Sequence, residues 1–241
     1  MATQADKVYV LPGDEINPAL IPSHPKHPLR LGPGLRHVPP SDLFPTTAGQ
    51  LVTDRRKNLI WVESNGGRYI PAVGDLVIGT IHHGAADFFY VTLSDYTSNA
   101  TLPQLAFEMA SKKNRPQLHS GDLVYARTHG PRAGVRVAKH RKGRGPGPLS
   151  EGMLYSISLG MARRLLMRKS AEEGKVVVLD ELGAAGLAFE TAVGRNGKMW
   201  VNSKDIKTVL VVGRAVTETD EKSLTVEQQK KLVRRLVKEM A

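Results

Sequence analysis

Short runs of alternating apolar and polar residues occupy the middle of the chain, and helical spacing appears only beyond residue 158. Residues 51–53, 59–63 and 68–71 read as short strands. They are separated by the charged loop 54–58 and by Ser64-Asn65-Gly66-Gly67, whose Asn-Gly step predicts a tight hairpin turn. A small antiparallel N-terminal domain follows. Ahead of it, the prolines from Pro12 to Pro45 exclude a long helix, and the proline-rich residues 17–28 predict an extended connection. From Gly74 the alternation is regular. Residues 74–81, 87–93, 100–107, 121–127 and 135–138 supply five strands, two of them opened by the same Gly-Asp-Leu-Val.

Residues 140–150 (HRKGRGPGPLS) have no period and predict a linker. Past it the pattern turns mixed. A strand is predicted over 153–158 and a helix over 159–169, with Leu159, Ala162, Leu165 and Leu166 on one side and Arg163, Arg164 and Arg168 on the other. Strands at 187–193 and 198–201 flank Gly194-Arg195-Asn196-Gly197. A buried helix near 204–217 comes next. The last helix opens with the capping box Thr225-Val226-Glu227-Gln228 and carries Leu232, Val233, Leu236, Val237 and Met240 on one stripe. The five middle strands fit a small closed barrel of the oligonucleotide-binding type. The expected architecture is α+β and multi-domain: a β-rich N-terminal domain at 1–65, a β-barrel at 66–139, a basic linker at 140–150, and an α/β domain at 151–241.

Composition narrows the chemistry. The 241 residues include 41% hydrophobic and 24% charged, and no run approaches the roughly 18 apolar residues of a membrane span. Met1 to Val10 lacks the pattern of a secretory signal, so secretion is not expected. There is no cysteine, which excludes disulfides, thiolate metal sites and cysteine nucleophiles. A net charge of +11 makes nucleic acid the leading partner class.

No catalytic constellation stands out. Gly143-Arg144-Gly145-Pro146-Gly147 is not a phosphate loop, because its proline lacks an amide where a phosphate would need one. His82 and His83, as strand neighbours, are expected on opposite faces, and no cofactor or metal is expected. Asp180-Glu181 and Asp220-Glu221 read as solvated charge. The basic segment Ser111 to Pro116 holds Lys112, Lys113, Asn114 and Arg115 where a loop of such a barrel meets single-stranded nucleic acid. A second basic stretch runs through Arg127, Arg132, Arg136, Lys139, Arg141, Lys142 and Arg144. Of the consecutive Phe88, Phe89 and Tyr90, Phe88 and Tyr90 are expected in the core. Gly194 to Gly197 reads as a turn with two positive-φ residues, Asn196 and Gly197. The rival is a nucleotide-clamping Gly-x-x-Gly loop, which joins helices where this one joins strands. Trp200, just after the turn, is expected to be buried where its domain meets a neighbour. An RNA-binding scaffold, an RNA-modifying or RNA-degrading enzyme and an interaction module without RNA all remain open at this level.

Several strings together resemble the cap subunits of the eukaryotic RNA exosome, which join an N-terminal β domain, an S1 domain (an oligonucleotide-binding barrel) and a KH domain. They are Val10-Leu11-Pro12-Gly13-Asp14-Glu15, Leu31-Gly32-Pro33-Gly34-Leu35-Arg36, Arg68-Tyr69-Ile70-Pro71, Gly74 to Gly79, Lys113-Asn114-Arg115-Pro116 and Gly194 to Val201. The resemblance implies a protein without catalysis of its own, seated on a ring of RNase PH-like subunits beside the other S1/KH cap subunits. It would guide single-stranded RNA to a separate catalytic exoribonuclease, in rRNA processing and RNA degradation, in the nucleus, nucleolus and cytoplasm. It also implies that Gly194, Arg195, Asn196 and Gly197 are structural. Val10, Leu11, Leu31 and Leu35 are expected to dock on the ring.

Overall fold

The structure, a computed structural model, describes residues 8–25, 27–40, 42–64, 67–95, 97–107, 110–111, 113–129, 135–136, 147–167 and 176–240. Two compact units divide the chain, 1–67 and 68–241.

In the first unit, β1 (Tyr9–Val10), β2 (Arg30–Leu31), β5 (Gly49–Asp54) and β6 (Leu59–Glu63) form one sheet in the order β1-β5-β6-β2. β2 lies parallel to β6, and β5 and β6 are an antiparallel pair. β3 (Leu35–Val38) and β4 (Asp42–Pro45) make a separate hairpin that the proline-rich sequence concealed. Val10, Ile16, Leu43, Leu51, Ile60 and Val62 form the core. Residues 68–71, read as a strand, belong to none, and the Asn65-Gly66 turn lies outside the described residues.

The second unit begins with β7 (Leu76–Gly84), β8 (Phe88–Thr92), β9 (Ala100–Pro103), β10 (Leu123–Thr128), β11 (Val135–Arg136) and β12 (Gly147–Leu149). The expectation of a closed barrel is corrected here. Among the described residues the strands follow an open path, β11-β10-β7-β8-β9, and β9 pairs with β8 alone. The reason lies in β10, whose outer edge is shared by two short strands. β11 takes Arg127 and Thr128, and β12 takes Leu123 to Tyr125. Closure needs a strand that spans from one end of the sheet to the other, and two- and three-residue strands do not. The end of the expected linker is therefore a strand. The core on one face holds Val77, Ile81, Phe89, Val91, Leu93, Leu102, Val124 and Ala126.

The remainder builds a three-stranded sheet, β13 (Met153–Ser156), β14 (Glu190–Gly194) and β15 (Lys198–Asn202), in the order β13-β15-β14. With it go α1 (Leu159–Leu166), α2 (Val178–Ala184), α3 (Ile206–Glu221) and α4 (Val226–Met240). The pattern did not reveal α2, which spans only seven residues. α3 and α4 bury Val209, Val212, Val216, Leu232, Val233 and Leu236 in one core with Met161, Leu182 and Met199. Asp220, read as solvated charge, accepts from the Ser158 amide and hydroxyl, both at 2.6 Å, with Arg164 at 3.8 Å. It ties the end of α3 to the start of α1. Arg164, placed by its spacing on the solvent side of α1, has a mostly buried side chain.

Candidate nucleic-acid interface

Three adjoining segments meet at one end of the six-stranded sheet. The turn 85–87 between β7 and β8 is tied to Gln104, which donates through Nε2 to the Ala85 carbonyl at 2.8 Å and through its amide to the Asp87 carbonyl at 2.9 Å. Arg115 then reaches in from the basic loop. Its guanidinium donates to the Ala86 carbonyl and, at 3.1 Å, to Gln104 Oε1, and it lies 3.5 Å from Asp87. Arg115 thus braces the loop, and its charge is partly answered by Asp87. Ser111 and Asn114 close the loop with reciprocal backbone hydrogen bonds of 3.0 and 3.1 Å. Lys113 and Asn114 are exposed, and Lys113 forms no ion pair among the described residues. Lys112 lies outside the described residues, as do Arg132, Lys139, Arg141, Lys142 and Arg144.

The aromatic assignment is reversed. Phe89, Val91 and Leu93 enter the core at a spacing of two, which turns Phe88 and Tyr90 to the other face, and Phe88 is 44% exposed. A spacing of two counted from Val91 and Leu93 would have revealed this in the sequence. His83 stacks on Tyr90 with ring centroids 4.4 Å apart. His82 and His83 do not take opposite faces. A bulge between Ile81 and His83 breaks the alternation and brings their Nδ1 atoms within 2.7 Å. Among the described residues no three His, Asp or Glu side chains converge on a metal-sized site.

Gly194 to Gly197 sits elsewhere, at the junction of the two sheets. The turn is a three-residue loop between β14 and β15 in which Gly197 alone has positive φ, at 74°; Asn196 does not, contrary to the expectation. The Asn196 side chain is buried and crosses to the other sheet. Its Oδ1 accepts from the Ile78 amide at 3.2 Å, and its Nδ2 donates to the carbonyls of Ile78 at 2.8 Å and Leu93 at 2.7 Å. The Arg195 amide donates to the Leu76 carbonyl at 2.7 Å, and its guanidinium lies 3.4 Å from Asp75. Asp75 also accepts from the Tyr69 hydroxyl at 3.1 Å. Burial first, and Asp75 next, push that hydroxyl's pKa well above the usual tyrosine value. Trp200 packs with Ile78 and Ala192 in this junction and donates from Nε1 to the Glu151 carbonyl at 2.7 Å. Tyr125 donates to the Val193 carbonyl at 3.0 Å. With the Asn196 side chain and the Arg195 amide both bonded to the neighbouring sheet, Gly194 to Gly197 holds two sheets together.

In the first unit, Val10 is spent on that unit's own core, with Leu31 and Leu35 half-buried against it. Leu11, 62% exposed, is the one of the four that stands free of that core.

Three family models match the chain in succession. Residues 29–68 match the exosome complex exonuclease Rrp40 N-terminal domain, 69–134 the exosome complex component RRP40 S1 domain, and 152–207 a KH domain. Exosome complex component RRP40 of Saccharomyces cerevisiae is 35% identical, with 90% of each chain covered. The Drosophila melanogaster protein of the same name is 33% identical over 90% of this chain and 91% of its own. The human one is 30% identical over 85% and 74%. A solved structure of an RNA-binding protein assigned to the exosome complex, 22% identical, shares the fold with a TM-score of 0.55 over 72% of this chain and 98% of its own. With its three segments matched in order and relatives above 30% identity along nine tenths of its length, the chain belongs to the RRP40 family of exosome complex components.

Proposed function

We propose that this chain docks on the RNase PH-like ring of the exosome, holds adjacent ring subunits together, and presents its S1 sheet to single-stranded RNA on its way to a separate 3′-to-5′ exoribonuclease. Membership of the family already makes it a non-catalytic, RNA-binding subunit of the exosome cap that serves RNA processing and degradation. The observation that carries the finer reading is the end of the six-stranded sheet. There an exposed Phe88, the His83–Tyr90 stack and the basic loop around Lys113 lie together, with Arg115 holding the loop in place. A cation for the phosphate backbone beside faces for unstacked bases is what single-stranded RNA requires, and it needs no particular sequence. Leu11 supports docking through the first unit. On the resemblance alone, the proposal places this work in the nucleus, nucleolus included, and in the cytoplasm.

The test uses the reconstituted complex and a labelled oligouridine. Lys113→Ala should reduce the log–log salt slope by about 0.7. Phe88→Ala should weaken binding by about 1–3 kcal/mol and leave the slope alone. If both variants bind as tightly and with the same slope as the parent, RNA does not use this end of the sheet.

A further inference from the structure

The three most exposed large apolar side chains of residues 151–241 are Ile206 at 75%, Leu210 at 48% and Met153 at 46%. They come from two elements and meet over Tyr155. The Tyr155 hydroxyl contacts Met153 Sδ at 3.3 Å and donates to the Val209 carbonyl at 3.0 Å, which puts β13 against one side of α3. The Tyr155 ring lies over Gly213, and with about 100° per residue Gly213 stands about 40°, Ile206 about 60° and Leu210 about 100° to the same side of Val209, which places Ile206 and Leu210 on the flank next to Tyr155. The three therefore form one apolar strip where β13 meets α3.

β13 is also an edge strand. It pairs with β15 on one side, and among the described residues no strand covers the other. The Ile157 amide bonds inward to the Gly197 carbonyl, so by antiparallel alternation the backbone groups of Leu154 and Ser156 face outward. Edges left open in this way are normally guarded by a charge or a proline, and Met153-Leu154-Tyr155-Ser156 has neither. Beyond the strip stand Lys204 and Lys207, exposed and without an ion pair among the described residues. The acidic group between them, Asp205, is already engaged by the Lys207 amide at 3.1 Å and the Thr208 hydroxyl at 3.3 Å. The N-terminus of the 16-residue α3 adds its positive end to the same place.

We propose that this face binds an extended segment of another protein, which adds to β13 as a further strand, sets alternate apolar side chains on Met153, Ile206 and Leu210, and places acidic residues against Lys204 and Lys207. The open edge dictates the extended backbone, the strip dictates the apolar positions, and the lysines dictate the charge. The site is separate from the end of the sheet proposed to meet RNA, so the two readings stand or fall independently.

Photocrosslinking tests it. Full-length chain carrying benzoylphenylalanine at position 206 is purified in the assembled complex and irradiated, and the crosslinked peptide is sequenced. The expected product is one segment of another protein in which apolar residues alternate and acidic residues flank them. Ser156→Pro, which removes an amide that β13 does not use internally, should then lower the crosslink yield about tenfold while the melting temperature holds. A crosslink to RNA, to a segment without acidic residues, or to nothing overturns the proposal. So does a yield that Ser156→Pro leaves unchanged.

Discussion

One side chain, Asn196, satisfies three backbone groups of the neighbouring sheet, and its cost on removal should be large for its size. Asn196→Ala leaves the Ile78 amide and the Ile78 and Leu93 carbonyls buried without partners, and should destabilise by about 3 kcal/mol. Asn196→Asp keeps the acceptor and loses both donations. It should be no milder, because a carboxylate would face two carbonyls. Urea unfolding of both variants checks this. Trp200→Ala, in the same junction, should cost about 3–5 kcal/mol. A similar economy appears in the three Gly-Asp pairs. At Gly13-Asp14, Gly74-Asp75 and Gly121-Asp122 the glycine takes φ near 90°, and the aspartate accepts from the amide three residues earlier, in Leu11, Ala72 and His119. The chain builds one type II turn three times.

At the scale of elements, α3 and α4 are joined at the surface by a network centred on Glu218, which meets Arg214 at 3.1 Å, Lys222 at 3.1 Å and Arg235 at 3.0 Å. The hydrogen bond from Lys222 is the chief cause that holds the Glu218 carboxyl below the usual glutamate range; burial opposes it, and Arg214 and Arg235 add to the lowering. A folded-state value below the unfolded one stabilises the fold above the ordinary glutamate range, and that stabilisation is lost as pH falls through the folded value. Glu218→Gln should therefore cost about 0.5–1 kcal/mol at pH 7 and nothing once the pH is low enough to protonate the carboxyl in the folded protein. Unfolding curves of parent and variant, taken at pH 7 and then at successively lower pH, follow the difference as it closes. The exposed cations of the network keep the effect small.

At the scale of the molecule, the chain divides after Gly67, and each unit has its own core. A chain cut to residues 68–241 should fold cooperatively, because both sheets and the Asn196 and Trp200 contacts survive intact. It should then fail to join the ring, since Leu11 is gone. Calorimetry gives the first result, and co-purification with ring subunits the second. Recovery at full yield would move the docking surface to the second unit.

Local patterns determined the strands β5 to β11 and β13, the β14–β15 hairpin and the helices α1, α3 and α4, because each has a period or a turn definite enough to outweigh its surroundings. The exposed loop at Lys113 was legible for the same reason, since charge and turn chemistry are local. Tertiary structure decided the rest. Whether the middle strands closed into a barrel depended on which strand took the outer edge of β10, and β11 shares that edge with three residues at 147–149 that look like linker. Val77 and Ile78 are both buried, although neighbours in a strand point opposite ways, because a second sheet covers the far face. Asp220 and Arg164 looked like surface charge, and Asn196 looked like a turn former. Their partners lie 62, 56 and up to 118 residues away, at separations that no local pattern reports.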